Sequence, residues 1–243
     1  MAKIEIPEDT GTKIIKKDSS SLKDEIRICV VVTGKDEKEF MRNLEKAQEK
    51  TSIVELRVDY MADVTDSFLE KIRKSIKGQA IFTCRKASEG GKFKGSETAR
   101  IRVIQKALDL QFDYLDIELS TVRTSVFNIR NTKIIVSFHD FEATPNDAEL
   151  KRIVKSMRNI GADIIKIATK VRSEVDNRKL IRILANKDLH EEMIIIGMGE
   201  KGRKTRIIAP LIGAFLTFAS IGGKTTASGQ IDIEELKEIY NYF

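Results

Sequence analysis

The sequence predicts an α/β fold of the (β/α)8 TIM-barrel type, and three observations predict it. Short apolar runs alternate with longer amphipathic ones from Arg27 to the C-terminus. Eight such pairs recur at a spacing of roughly 25–30 residues, as strand–helix units do in barrels of this size. Charged residues then fall on alternate positions at the ends of several strand-like runs, which suits a barrel whose site lies at one mouth. A doubly wound sheet shares the alternation and is the competing architecture.

The elements follow in order. Strands are expected at 27–32, 53–58, 80–84, 114–118, 133–137, 163–167, 193–196 and 215–219. Helices are expected at 37–49, 66–76, 97–110, 120–128, 147–159, 174–186 and 205–212, and a last one at 232–240 closes the chain. The stop and start signals agree. Thr65 and Asn146 stand where a helix N-cap is needed, and Gly161 follows the fifth helix. Ahead of the first strand, Ile4-Glu5-Ile6 and Lys13-Ile14-Ile15 can pair as a short hairpin closing the barrel bottom. With no linker and only three prolines, residues 1–243 are expected to form one catalytic domain.

Composition narrows the function. Lys and Arg number 43 against 37 Asp and Glu, a net charge of +6 with the signs interspersed. That balance steers a small anion and argues against nucleic acid, as does the absence of Trp for base stacking. No apolar stretch reaches the ~18 residues of a membrane span, and the polar N-terminus has no secretory core. Cys29 and Cys84 fall in expected strands, so a cytoplasmic protein with reduced thiols is expected. No cysteine pair or H-E-x-x-H motif offers a metal site.

Strand periodicity then sorts the charges. Residues two apart share a face. Glu55, Arg57 and Asp59 therefore form one row on the second strand, with Val54, Leu56 and Val58 on the other face. In a barrel the apolar row meets the helices and the charged row points inward. The same phase turns Thr83 and Arg85, Asp116 and Glu118, Ser137 and His139, and Lys166 into the lumen. So many charges at strand ends describe a polar pocket for a hydroxylated anion.

Lys166 interrupts Asp163-Ile164-Ile165-Lys166-Ile167-Ala168, an apolar run of buried-strand type. An inward lysine is either paired with a carboxylate or partly deprotonated, because desolvation penalises the ammonium. Burial can bring such an amine from ~10.4 to about 7 and prepare it to form an imine. A lysine at a strand end can also simply snorkel to water. His139, one strand away, has an ordinary pKa near 6.5 and can move protons at neutral pH. His190 lies in a polar connection and is expected at the surface.

Gly197-Met198-Gly199-Glu200-Lys201-Gly202 matches G-x-G-x-x-G, but the acidic ribose ligand of a dinucleotide site does not follow it. With Arg203, Lys204 and Arg206 behind it, this turn suits capture of a phosphate or carboxylate. Thr225 to Gln230 follow the eighth strand as a flexible loop rich in hydroxyl and amide donors.

These residues resemble the type I 3-dehydroquinate dehydratase family. The resemblance is carried by Glu55-Leu56-Arg57-Val58-Asp59, by Phe82-Thr83-Cys84-Arg85 with Glu89-Gly90-Gly91, and by Ser137-Phe138-His139-Asp140-Phe141. It continues through Lys166-Ile167-Ala168, Met198-Gly199 with Gly202 and Thr205-Arg206, and Ala227-Ser228-Gly229-Gln230. It implies a cofactor-free, metal-free hydro-lyase of the shikimate pathway. Such an enzyme dehydrates the small molecule 3-dehydroquinate to 3-dehydroshikimate, and family members are commonly homodimers. By the same resemblance Lys166 forms the Schiff base, His139 is general base and then acid, and Glu89 orients His139. Arg206, helped by Gln230 and Thr226, binds the substrate carboxylate, while Glu55, Arg57 and Arg85 read ring hydroxyls. The chain departs from the family in two places, the last loop and the residue before Arg206. Thr226 and Ser228 stand where it usually has Ser and Pro, and the missing proline is expected to loosen the 225–230 lid; Thr205 replaces a frequent Ser. The alternatives are a Schiff-base aldolase acting on a phosphorylated sugar and a basic nucleic-acid binder.

Overall fold

The structure is a computed structural model that describes residues 26–129, 131–223 and 225–243. The expected N-terminal hairpin lies outside those residues. In chain order the elements are β1 (Ile28–Val32), α1 (Glu37–Gln48), β2 (Ile53–Arg57), α2 (Asp66–Ser75), β3 (Gln79–Thr83) and α3 (Glu97–Asp109). Next come β4 (Tyr114–Glu118), α4 (Leu119–Val122), β5 (Lys133–Asp140), α5 (Asp147–Ile160), β6 (Ile164–Lys170) and α6 (Glu174–Ala185). The chain ends with β7 (Glu192–Met198), α7 (Arg203–Leu211), β8 (Thr217–Ser220), β9 (Ile231–Asp232) and α8 (Ile233–Asn241).

All the strand pairings are parallel, in the order β7-β6-β5-β4-β3-β2-β1-β8-β9. The sheet curls into the expected (β/α)8 barrel because β8 returns to lie beside β1, pairing Ile28 with Thr217 and Val30 with Ala219. Between β7 and β8 there is no ladder among the described residues. A backbone hydrogen bond from the Phe215 N–H to Met193 O, 2.8 Å, crosses that seam.

Local chemistry sets the boundaries. Asp36, Thr65, Ser96 and Asn146 each accept a first-turn backbone N–H at the start of α1, α2, α3 and α5. Ser173 and Asp176 form a capping box on α6. Gly161 ends α5 at φ +80°, a conformation that costs a side-chain-bearing residue ~1 kcal/mol or more.

The strands carry two apolar layers. Val54, Leu56, Phe82, Leu115 and Ile165 face outward into one core with the helices. Ile53, Ile81, Tyr114, Ile135, Ile164 and Ile194 alternate with them and fill the lumen as a second cluster. Above that plug the same inward phase delivers Glu55, Thr83, Asp116, Ser137 and Lys166, all buried. The lumen is thus apolar below and charged above.

Two expectations need correction. The helix expected at 120–128 is one turn, Leu119–Val122. The Thr124 hydroxyl donates to Ser120 O at 3.3 Å and Thr121 O at 3.2 Å, taking up carbonyls that a longer helix would use. Asp59 does not face the lumen. β2 stops at Arg57, and Asp59 lies fully buried in a 3₁₀ turn, Val58–Tyr60.

Candidate active site

A cleft opens where the strand ends converge. The nine residues to which the resemblance gives a role all lie on its wall. Lys166, His139, Glu89, Glu55, Arg57 and Arg85 come from β2 to β6 and the turns after them, and Arg206, Thr226 and Gln230 come from α7 and the last loop. Gly90, Phe141, Ile196, Met198 and Phe218 add apolar wall that the charge pattern did not single out.

Lys166 is buried and its Nζ meets two carboxylates. Its Nζ lies 2.7 Å from Asp116 Oδ2 and 3.4 Å from Glu55 Oε1. The Phe218 ring centroid is 4.3 Å from Nζ, so an aromatic face covers the remaining side. Burial opposes ionisation of Asp116, but Arg85 and Lys166 outweigh it and hold the carboxyl well below the usual range. Arg85 Nη2 lies 2.7 Å from Asp116 Oδ1, Ser137 Oγ donates to the same oxygen at 2.6 Å, and Thr83 Oγ1 donates to Glu55 at 3.1 Å. The lysine therefore sits in a fixed polar frame. Alternation along β4 places Asp116 inward, yet nothing in the sequence singles it out as the lysine's partner.

His139 lies within β5, in register with Ala168 on β6, and Ser137 is in register with Lys166. Its Nδ1 faces Glu89 Oε2 at 3.2 Å, and its backbone N–H donates to the same oxygen at 3.3 Å. An ionised Glu89 accepts from Nδ1–H, so this contact favours the tautomer with a free Nε2 lone pair. Ser120 Oγ donates to the other Glu89 oxygen at 2.9 Å. Burial, reinforced by Arg85 and Lys166, drives the His139 pKa well below its ordinary 6.5. The imidazole is neutral at neutral pH. Burial raises Glu89, with Arg85 opposing.

The cations divide by partner. Arg57 is held by Asp59 through two hydrogen bonds of 2.8 Å. Arg85 spends its fork on Asp116, Glu118 and Ser137. Glu118 is fixed from behind by the fully buried Arg100 at 3.0 Å. Arg206 differs. It is 2% exposed, its Nε has no hydrogen-bond partner, and no carboxylate among the described residues pairs with it. Its Nη2 reaches Ser228 O only at 3.5 Å. Desolvation alone lowers its pKa to about 10. A buried guanidinium with unused donors is a site for an anion.

The glycine-rich turn after β7 does not form a phosphate cradle. Arg203 pairs with Glu235 and Lys204 with Glu174, so of the three basic residues only Arg206 faces the cleft. Gly202 is needed for close approach, since a Cβ there would meet the Gly197 backbone at 2.4 Å. The loop from β8 folds onto this turn. Gly199 N–H donates to Ser228 O at 3.0 Å, and the Thr226 N–H and hydroxyl both donate to Gln230 Oε1.

Comparison with known proteins shows the family and the fold. A model of the type I 3-dehydroquinase family matches residues 28–243. The 3-dehydroquinate dehydratase of Coxiella burnetii is 41% identical over 217 residues, 89% of this chain and 93% of the relative. That of Methanocaldococcus jannaschii is 39% identical over 219 residues, covering 88% and 97%. Among solved structures, the 3-dehydroquinate dehydratase of Geobacillus kaustophilus HTA426 superposes with a TM-score of 0.80 at 25% identity, covering 90% and 91% of the two chains. The Aquifex aeolicus VF5 enzyme gives 0.75 at 31% identity, covering 90% and 99%. With sequence and fold in agreement over the whole barrel, the chain belongs to the type I 3-dehydroquinase family.

Proposed function

We propose that this 3-dehydroquinate dehydratase acts through an imine on Lys166, with His139 moving the protons. The observation that carries the reading is one cleft holding a buried primary amine, a neutral imidazole and an unpaired guanidinium. Each has a task in removing water from a hydroxylated keto acid. The substrate carboxylate takes the unused donors of Arg206, assisted by Gln230 and Thr226. Glu55, Arg57 and Arg85 meet the ring hydroxyls. With the ring so held, Lys166 gives up an ammonium proton to become nucleophilic and attacks the ketone, and the ketone oxygen leaves as water carrying two of the nitrogen's original protons, forming the iminium.

The iminium withdraws electrons from the neighbouring carbon, so its C–H becomes acidic enough for neutral His139 to take the proton. The resulting enamine expels the β-hydroxyl, which receives that proton from His139 and departs as water. Hydrolysis of the product iminium restores Lys166, so the net change is loss of one water. Asp116, held ionised beside Nζ, stabilises the positive charge first of the ammonium and then of the iminium. A phosphorylated-sugar aldolase is disfavoured, because Arg203 and Lys204 are engaged outside the cleft.

The test is conversion of 3-dehydroquinate followed by the ultraviolet absorbance of its conjugated product. Lys166→Ala should abolish turnover, and His139→Ala should lower it roughly 10²–10⁴-fold while still forming the imine. Unchanged turnover in either variant removes that residue from its role. The reading extends to a single-domain cytoplasmic homodimer, and a monomer in analytical ultracentrifugation would overturn the dimer.

A further inference from the structure

We propose that Tyr240 on α8 and Thr217 on β8 are positioning residues for Arg206, acting through its main-chain carbonyl. The proposal rests on the reading of Arg206 as the carboxylate site. It begins with Pro210, which lies inside α7. In an α-helix the carbonyl of one residue accepts from the N–H four positions on. Position 210 is four beyond 206, and proline has no N–H to give. The Arg206 carbonyl is therefore left without its helical donor in the middle of the protein. Two hydroxyls take it up. Thr217 Oγ1 donates to Arg206 O at 2.9 Å and Tyr240 Oη at 3.0 Å, the phenol also lying 3.1 Å from Ile207 O.

This matters because the side chain does not orient itself. Among the described residues Arg206 has no ion pair, an unpartnered Nε and one long contact to Ser228 O. The aim of its fork thus depends on where the backbone holds its Cα. That backbone is tied on three sides. Thr205 Oγ1 accepts from the Gly197 N–H of β7 at 2.7 Å, Thr217 holds from β8, and Tyr240 holds from α8. Tyr240 is 6% exposed and burial raises its phenol, so it stays a donor wherever the enzyme works. A bidentate contact tolerates little displacement, roughly 0.5 Å, so this frame sets how well the carboxylate is held. The C-terminal helix, outside the cleft, thereby reaches into substrate recognition.

The test is steady-state kinetics of Tyr240→Phe, Thr217→Val and the pair, with 3-dehydroquinate, beside Arg206→Ala. The pair should raise KM about tenfold, the worth of two modest hydrogen bonds, with kcat within about twofold. Adding Pro210→Ala to the pair returns a helical N–H to the Arg206 carbonyl and should recover most of that loss. A merely structural role would lower kcat or the active fraction at constant KM, without rescue by Pro210→Ala, and would overturn the proposal. So would an unchanged KM in the pair when Arg206→Ala raises it. If Arg206→Ala itself leaves KM unchanged, the carboxylate reading falls and the positioning role with it.

Discussion

At His139, burial and the nearby cations Arg85, Lys166 and Arg57 push in the same direction against Asp116, and the consequence is visible in a pH profile. In the proposed role of base, the residue acts only when neutral. Its pKa in the folded enzyme lies well below the ordinary 6.5, so lowering the pH through 6.5 does not yet protonate it. The acid limb of log kcat/KM should therefore bend below pH 6.5, and a limb that bends at or above that value contradicts the assignment. The sequence nominated His139 from its place at a strand end but gave it an ordinary titration, because burial and the approach of Arg85 exist only once β3 to β6 lie side by side. Asp116 and Asp59 teach the same point. Alternation exposes a carboxylate row, yet which carboxylate meets Lys166 and which grips Arg57 depends on where β2 ends and how β4 registers with β3.

Among the elements, the turn after β7 shows how a motif changes meaning in its structure. The spacing of Gly197, Gly199 and Gly202 is that of a dinucleotide fingerprint, but its physical use is to seat α7 against β7. Gly202 has φ −85°, so its need is for space and not for an unusual backbone. Gly202→Ala should cost ~1–3 kcal/mol in urea unfolding and raise KM through displacement of Arg206. A variant of wild-type stability and KM would show that the turn yields freely. Strands and capped helices were legible because local pattern and tertiary packing agree at them. Helix α4 was not, since Thr124 redirects its hydroxyl to the carbonyls behind it, a choice that composition does not reveal.

For the whole molecule, period-two alternation placed an apolar row against the helices and a charged row in the lumen, but the apolar plug beneath those charges was not singled out. Nor was the seam between β7 and β8, because strand count says nothing about which ladder stays open. The outer core carries the weight of stability, with Phe82 fully buried and its ring 5.1 Å from that of Phe112. Phe82→Ala should lose about 3–5 kcal/mol, and a loss below ~1 kcal/mol would mean that the layer repacks around the gap. In the proposed mechanism this architecture holds one amine and one imidazole in the same cleft. The direct measurement is borohydride reduction in the presence of 3-dehydroquinate, followed by peptide mass spectrometry. The account predicts a covalent adduct on Lys166 that is retained in His139→Ala and absent from Lys166→Ala. An adduct on another residue, or none from an enzyme that is turning over, would contradict it.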